Sequence, residues 1–322
     1  MVPRTAAVNF FRRRRNMALA LVSTFRPIGS AVTLQIISLI AIRWGWRAAY
    51  RYCGIIGLIL VVPILLVMRR RPEDIGLQPD GARPLRPTPG ETQAVTSRGA
   101  RQRLGAREAE FSWTTKEALS TKSFWLLVVT VASSTLATAT VGFSLVPFLV
   151  EDVGISRGQA TGVLSLGTFL AVGNLGWAYL ADVMTPRLCL SVAMIAAGAI
   201  VLFLTTVSSF VTALGFAVVF GITSGPAGMF EAMILAQYYG RSSYGTILGV
   251  FVPFQTVTLG LGPALGSVFR EDVGSYTGLY VAMAGVYFAA ALFVFMARPP
   301  LLPDRAYAES VSGPAQLDLP GG

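Results

Sequence analysis

Long apolar segments dominate this 322-residue sequence and restrict the folds that the chain can adopt. A bilayer hydrocarbon core is about 30 Å thick, and a helix needs about 20 mostly apolar residues to cross it. The chain is 53% hydrophobic and 13% charged, whereas soluble domains carry about 25% charged residues. Only helices or closed barrels satisfy their backbone in lipid, and these runs are too long and uniformly apolar for barrel strands. We therefore predict an all-α, polytopic transmembrane helix bundle of about eight spans.

The predicted spans divide the chain into four regions. We expect a partial N-terminal helix bundle of two spans (1–68), a cytoplasmic central loop (69–122), a C-terminal six-helix bundle (123–297) and a flexible cytoplasmic tail (298–322). The central loop is rich in Pro, Gly, Arg and Thr, which is typical of disorder, and its end near Trp113–Leu119 is a candidate interfacial helix. The predicted spans are near Met17–Ile42, Tyr52–Met68, Phe124–Val150, Gln159–Leu180, Leu188–Val207, Val211–Ala236, Gly245–Phe269 and Tyr276–Met296.

The basic residues are distributed unevenly between the two sides of the predicted membrane. The formal net charge is +10, which in a soluble protein would indicate nucleic acid. Here the charge concentrates in alternate loops, including the blocks Arg12–Arg15 and Arg69–Arg71. Because cytoplasmic loops carry the excess of Lys and Arg, we predict an inner (plasma) membrane protein with both termini cytoplasmic and no nucleic-acid partner.

Several function classes lack the residues that they need. The chain has no histidine, which removes the commonest general base and metal ligand. Cys53 and Cys189 lie in apolar stretches without ligand spacing, so we interpret them as packing residues and leave a disulfide open. No phosphate-binding Gly-x-x-x-x-Gly-Lys-Ser/Thr loop occurs. The sequence therefore predicts no enzyme, no cofactor, no metal site and no ATP-driven pump.

Every third predicted span is nearly free of polar side chains. The second, fifth and eighth spans are almost entirely apolar and are called bland below, whereas the other five carry polar groups at membrane depth. Polar side chains in a membrane face a bundle interior or a water-filled cavity, so the bland spans are expected to face lipid and the others to line an interior. A three-helix period is also what repeated three-helix units produce.

This rhythm and four stretches resemble the major facilitator superfamily, in particular its bacterial branch of monocarboxylate and oxalate carriers. The stretches are the basic block Phe11–Arg15 leading into Ala18-Leu19-Ala20, the turn Trp44–Tyr50, the loop start Arg70–Gly81, and Tyr239–Gly249 with Pro263 and Asp272–Tyr276 downstream. The resemblance implies a twelve-helix fold of two six-helix halves, in which this chain begins just before the fifth helix. The first four helices would be absent, and the bland spans would be the peripheral sixth, ninth and twelfth helices.

One loop departs from the family pattern. The family's loop between the eighth and ninth helices reads roughly Gly-x-x-x-Asp-Arg-x-Gly-Arg-Arg. Asp182 and Arg187 are present here, but Val183 and Thr185 replace the usual Arg and Gly. We assign Asp182 and Arg187, together with Arg241, to a candidate gating loop. In the alternative, Asp182 caps a helix end and Arg187 is a positive-inside anchor.

Arg26 is the sharpest candidate for substrate binding. It precedes Pro27 within the first span, and an arginine offers a planar fork of donors that suits a carboxylate. We expect Arg26 to bind an organic anion in a central cavity. In the alternative, the span begins near Val22 and Arg26 snorkels to the cytoplasmic interface.

Glu231 is the only acid well inside a predicted span. Because family members often couple transport to protons, Glu231 is a candidate proton-coupling residue. The alternative is that Glu231 lies near the cytoplasmic end of its span and pairs with a loop arginine such as Arg241.

The remaining candidates are neutral. Asn174 and Gln255 are expected to bind substrate as cavity-lining amides, or else to form interhelical packing bonds. The stretch Gly221–Gly228 is interpreted as a bendable point. The pairs Gly245/Gly249 and Gly262/Gly266 follow the small-xxx-small pattern that allows close helix contact.

The resemblance implies transport of a small solute, an organic anion such as a monocarboxylate, by alternating access, with proton coupling as a further implication. The expected partners are the lipid bilayer, the anionic solute and a missing N-terminal segment. The alternative is a non-transporting truncated remnant or a membrane interaction partner.

Overall fold

The computed structural model describes residues 2–11, 15–67, 113–240 and 243–300. Every regular element in these ranges is helical, so the predicted all-α class is confirmed. The helices are α1 (Val2–Phe10), α2 (Arg15–Val67), α3 (Thr115–Leu119), α4 (Lys122–Glu151), α5 (Arg157–Phe169), a 3₁₀ turn (Leu170–Gly173), α6 (Asn174–Val183), α7 (Pro186–Leu204), α8 (Phe210–Ser224), α9 (Ala227–Tyr239), α10 (Tyr244–Val273) and α11 (Thr277–Met296).

Within the described residues, seven helical segments are long and apolar enough to cross a membrane. They are Arg43–Leu66, Lys122–Glu151, Arg157–Val183, Pro186–Leu204, Phe210–Tyr239, Tyr244–Val273 and Thr277–Met296. The first predicted span is helical as the first part of α2, which leaves its helical geometry at Gly45 with a φ of +78°. A positive φ favours glycine because it has no Cβ, so Gly45 is where the chain changes from the first predicted span to the second.

The C-terminal helices pack around α4. This helix contacts α10 and α11 extensively, α11 also packs against α7, and α5 packs against α8. The first part of the chain joins this bundle through α2, which contacts the 3₁₀ turn, α6 and α9. The short helix predicted near Trp113–Leu119 is present as α3, which begins with a capping box formed by Thr114 and Glu117.

Close helix packing depends on glycine at two crossings. A Cβ on Gly262 of α10 would lie 2.6 Å from the Cβ of Ala139 and 2.8 Å from the backbone nitrogen of Thr140, both on α4. A Cβ on Gly221 of α8 would collide with the carbonyl oxygen of Gly167 on α5. The predicted close contact at Gly262 is therefore confirmed, in agreement with the use of small residues between membrane helices.

The sixth predicted span is interrupted where the glycine-rich stretch indicated a bend. Helix α8 ends at Ser224, and α9 begins at Ala227 after Pro226. Because proline has no backbone N–H, the carbonyl of Ile222 loses its donor four residues later in the chain. The indole nitrogen of Trp177 donates to that carbonyl instead, at 2.9 Å.

The fourth predicted span is confirmed as Arg157–Val183, but its helix is interrupted within the span. The chain tightens into the 3₁₀ turn Leu170–Gly173 between α5 and α6. A Cβ on Gly173 would lie 3.4 Å from the side chain of Ile222, so this turn packs beside the last part of α8. A 3₁₀ stretch inside a longer helix often marks strain or a hinge.

Cys53 and Cys189 are both free thiols, and Cys189 is buried on α7. The disulfide that the sequence left open is not formed.

Candidate functional site

A cavity of about 1730 Å³ lies between the first part of the chain and the C-terminal helices. Its walls come from α1, the first part of α2, α4, α5, α8, α9 and α10. Most of the lining is apolar, and hydroxyl groups are spread over several of the helices. They include Ser134, Thr135, Thr138, Ser165, Thr168 and Thr256.

The helices that line the cavity are those with polar spans. Among the described residues, the bland segments Arg43–Leu66, α7 and α11 contribute no side chain to the lining, whereas all five polar spans contribute. The expectation that polar helices line an interior and bland helices do not is therefore confirmed.

Arg26 lies on the cavity wall beside Pro27, which also lines it. Helix α2 begins at Arg15, so Arg26 lies roughly 16 Å further along the helix axis at a rise of 1.5 Å per residue. The observation that supports the cavity position is that Arg26 is one of the lining residues. Arg26 is also close enough to Glu231 to interact with it electrostatically.

Glu231 forms the centre of a buried polar cluster with Arg4 and Gln255. Its carboxylate Oε2 lies 3.5 Å from Nη1 of Arg4, and the side-chain amide of Gln255 donates to Oε1 at 2.7 Å. The Glu231 side chain is 1% exposed and that of Arg4 is 17% exposed. Because a buried carboxylate is costly unless it is paired and hydrogen-bonded, this cluster accounts for an acid at membrane depth.

Gly228 makes room for the guanidinium of Arg4. A Cβ at this position would lie 2.6 Å from Nη2 of Arg4. Gly228 precedes Glu231 by three residues on α9, so the two positions share a face of the helix. The guanidinium therefore lies across the first turn of α9 and meets the carboxylate one turn further on.

Arg4 is a functional candidate that the sequence analysis did not single out. It belongs to α1, whose Ala7 and Val8 are buried in the core. At nine residues, α1 is too short to be recognised as a span. The only signal in the sequence was a short apolar stretch before the arginine block.

Asn174 begins α6 and is 1% exposed. It is not among the described residues that line the cavity, and its amide forms no hydrogen bond within the described part of the protein. Its neighbour three residues on, Trp177, packs edge-on against Phe230. Among the described residues, Asn174 therefore neither lines the cavity nor forms the interhelical hydrogen bond of the alternative interpretation.

Two of the candidate gating residues, Asp182 and Arg187, have separate contacts in the described part of the chain. Asp182 near the end of α6 accepts a hydrogen bond from the side-chain amide of Asn16 on α2, at 2.7 Å, so it joins two helices instead of capping one. Arg187 on α7 lies with its guanidinium carbon 5.9 Å from the centre of the Phe295 ring. Arg241 lies outside the described residues.

The cavity is therefore equipped to bind an anion. Both Arg4 and Arg26 present guanidinium groups to it, and five of the helices contribute hydroxyl groups to the described lining. Among the described residues no group of three or more metal-binding side chains occurs.

Comparisons with known proteins agree with this geometry. The model of the Major Facilitator Superfamily matches residues 2–255 and residues 127–317. Monocarboxylate transporter 12 of Rattus norvegicus is 23% identical over 292 residues, which cover 84% of this chain and 57% of that protein. The MFS-type transporter pynF of Aspergillus niger is 23% identical over 303 residues, which cover 92% of this chain and 62% of that protein. The chain thus spans less than two thirds of the length of these relatives.

Proposed function

Because the chain belongs to the major facilitator superfamily, we propose that it moves a small organic anion across a membrane by alternating access. Family membership makes it a multi-pass membrane protein of a transporter family and not an enzyme. The observation that carries the proposal is the cavity of about 1730 Å³ with two arginines on its wall, Arg4 and Arg26.

The chemistry of the lining supports a carboxylate as the substrate group. Guanidinium forms paired hydrogen bonds with carboxylates, and a mostly apolar wall suits the short hydrocarbon part of an organic acid. A relative that matches 84% of this chain carries the name of a monocarboxylate transporter, and on the same grounds we propose a monocarboxylate here. Gln255, which also lines the cavity, is proposed as a neutral contact. The position of Asn174 gives its proposed contact less support.

Alternating access requires one end of the cavity to open as the other closes. The bond from Asn16 to Asp182 joins α2 to the C-terminal helices, and Arg15 donates to the carbonyl of Ala236 on α9 at 3.4 Å. We propose that these bonds between the two helix groups break when this end opens, with Arg187 and Arg241 as further gating residues. The helix breaks before α6 and before α9 are candidate bending points.

We further propose an orientation with both termini and the loop 69–122 in the cytoplasm of a cell whose inner (plasma) membrane holds the protein. The uneven distribution of basic residues supports this orientation. We propose the same four regions as the sequence predicts: the two-span N-terminal bundle ends at residue 68, the central loop at 122 and the C-terminal bundle at 297.

Arg26 provides the test of substrate binding. We expect Arg26→Ala to lower the uptake of a monocarboxylate by at least about tenfold, since a charge-assisted bidentate contact contributes on the order of 1.5–3 kcal/mol. Arg26→Lys should be intermediate because it keeps the charge and loses the fork. The assay is uptake of labelled butanoate into liposomes.

Arg43→Ala is the matched control, because Arg43 is an exposed arginine on the same helix outside the cavity lining. Wild-type uptake by both Arg26 variants would refute the binding role.

Proton coupling through Glu231 is a second candidate, favoured by the observation that Glu231 is the only acid among the described lining residues. Its contacts with Arg4 and Gln255 give more support to the alternative in which Glu231 pairs with an arginine. That arginine is Arg4, whereas the sequence suggested Arg241. If Glu231 carries the proton, Glu231→Gln should stop the alkalinisation of the medium that accompanies uptake of the anion. If uptake by Glu231→Gln still alkalinises the medium, Glu231 does not carry the proton and serves only in the charge pair with Arg4.

A further inference from the structure

We propose that Glu231 is a specificity-determining residue that limits the cavity to monoanions by neutralising one of the two arginines in its described lining. This inference rests on the proposed transport of an organic anion and concerns the charge of that anion. It requires Glu231 to be ionised while the solute is bound.

The charges on the cavity wall are few. Among the described lining residues, Arg4, Arg26 and Glu231 are the only ones that carry a full charge. With all three ionised, the described lining has a formal charge of +1.

The carboxylate of Glu231 is held by protein groups and is not available to a solute. It is almost completely buried, and both of its oxygens have partners, Arg4 on one side and Gln255 on the other. Gly228 lets the Arg4 guanidinium reach this carboxylate across α9, because a side chain there would occupy the position of Nη2. Glu231 and Arg4 therefore act as a nearly neutral pair fixed to the cavity wall.

The charge of the solute then decides how well it enters the cavity. A monoanion brings the summed charge of solute and described lining to zero, whereas a dianion leaves one negative charge that this lining does not compensate. Charges that leave water for a protein interior without full compensation are strongly disfavoured. Apart from Glu231, the described lining contributes hydroxyl and amide groups, which carry no net charge.

We call this dependence of uptake on the summed charge of solute and lining the charge rule. Two variants separate it from other effects of the mutations. Glu231→Gln keeps the side-chain volume and an oxygen for Gln255, but it raises the charge of the described lining to +2. We expect it to move the preference from monoanion toward dianion by at least about tenfold, which corresponds to about 1.4 kcal/mol. The double variant Arg4→Gln/Glu231→Gln returns the charge to +1 and should recover the wild-type preference.

The probes are butanoate and succinate, which have four carbons each and differ by one carboxylate. The measurement is the ratio of their uptake into liposomes containing the full chain, at a pH where both are fully ionised and at constant ionic strength. Glu271→Gln is the matched control, since it makes the same substitution at an exposed residue of α10 outside the cavity lining. Its ratio should equal that of the wild type.

A dianion preference in Glu231→Gln that reverts in the double variant supports the charge rule. An unchanged ratio in Glu231→Gln overturns it, and so does a changed ratio that the double variant does not restore. If Glu231→Gln is not recovered as folded protein, Thr256→Lys provides the test, because it adds a positive charge at an exposed residue of the described lining and should raise uptake of succinate relative to that of butanoate. An unchanged ratio in this variant would contradict the rule.

A second measurement separates this inference from the proposed function. The same two acids are tested for their ability to raise the thermal stability of each purified variant, which reports binding without transport. Charge-dependent stabilisation without uptake would reject transport and retain the charge rule. Butanoate uptake with charge-independent stabilisation would retain transport and reject the rule.

Discussion

Replacement of Gly262 by leucine is expected to prevent the correct assembly of the C-terminal helices. A Cβ alone would lie 2.6 Å from the Cβ of Ala139 and 2.9 Å from its carbonyl carbon, so α10 would have to move away from α4. Overpacking of a single site costs about 1–3 kcal/mol, and leucine adds three further carbons beyond the Cβ. We expect loss of the monodisperse protein peak after detergent extraction, with Gly262→Ala showing a partial effect as a lower melting temperature.

Gly260→Leu is the control for this experiment. It makes the same change two residues earlier on α10, where a Cβ would have no neighbour within 4 Å. We expect this variant to assemble normally. Equal loss in the two leucine variants would show that α10 tolerates leucine poorly for reasons other than its contact with α4.

Removal of the Arg4 guanidinium is expected to destabilise the protein more than neutralisation of Glu231. Arg4→Met keeps much of the side-chain volume but leaves the carboxylate of Glu231, which is 1% exposed, without the arginine that lies 3.5 Å away. Breaking a buried ion pair from one side costs about 3–5 kcal/mol. We expect a loss near the lower end of this range, because Arg4 itself is partly exposed to the cavity.

The order of stability among the variants tests whether the destabilisation comes from the unpaired carboxylate of Glu231. Glu231→Gln should destabilise less than Arg4→Met, and the double variant Arg4→Met/Glu231→Gln should recover part of the loss, because it leaves no buried carboxylate. Unfolding in mixed micelles measures these differences, and Arg157→Met, at an exposed arginine that begins α5, is the control. A double variant as unstable as the sum of the single variants would contradict the pairing of Arg4 with Glu231.

The helices and the identity of the cavity-lining spans could be predicted from the sequence because both depend on local polarity. A run such as Pro186–Leu204 is apolar throughout and contributes nothing to the described cavity lining, whereas α4 has hydroxyl groups at membrane depth and lines the cavity. The bend before α9 was also predictable, since glycine and proline occur together there. These features need no information about which helices are neighbours.

The features that sequence reasoning missed all depend on contacts between distant segments. Arg4 meets Glu231 only because its side chain crosses from α1 to α9 at Gly228, and no local pattern indicates that contact. The 3₁₀ turn before Asn174 forms where α5 and α6 pass close to α8, although the sequence Leu170–Gly173 contains no proline. Predicting them requires the packing of the helices first.

The central claim is that this chain carries a small organic anion across a bilayer, and counterflow in sealed liposomes tests it most directly. Liposomes that contain only the purified chain are loaded with unlabelled butanoate and diluted into a trace of labelled butanoate. We predict a transient, saturable accumulation of label that exceeds that of protein-free liposomes and is at least about tenfold smaller with Arg26→Ala, given the energy of a charge-assisted contact. Stable insertion of the protein into the liposomes, with label no higher than in protein-free liposomes for butanoate and for other small organic anions, would contradict the claim and favour a non-transporting membrane interaction partner.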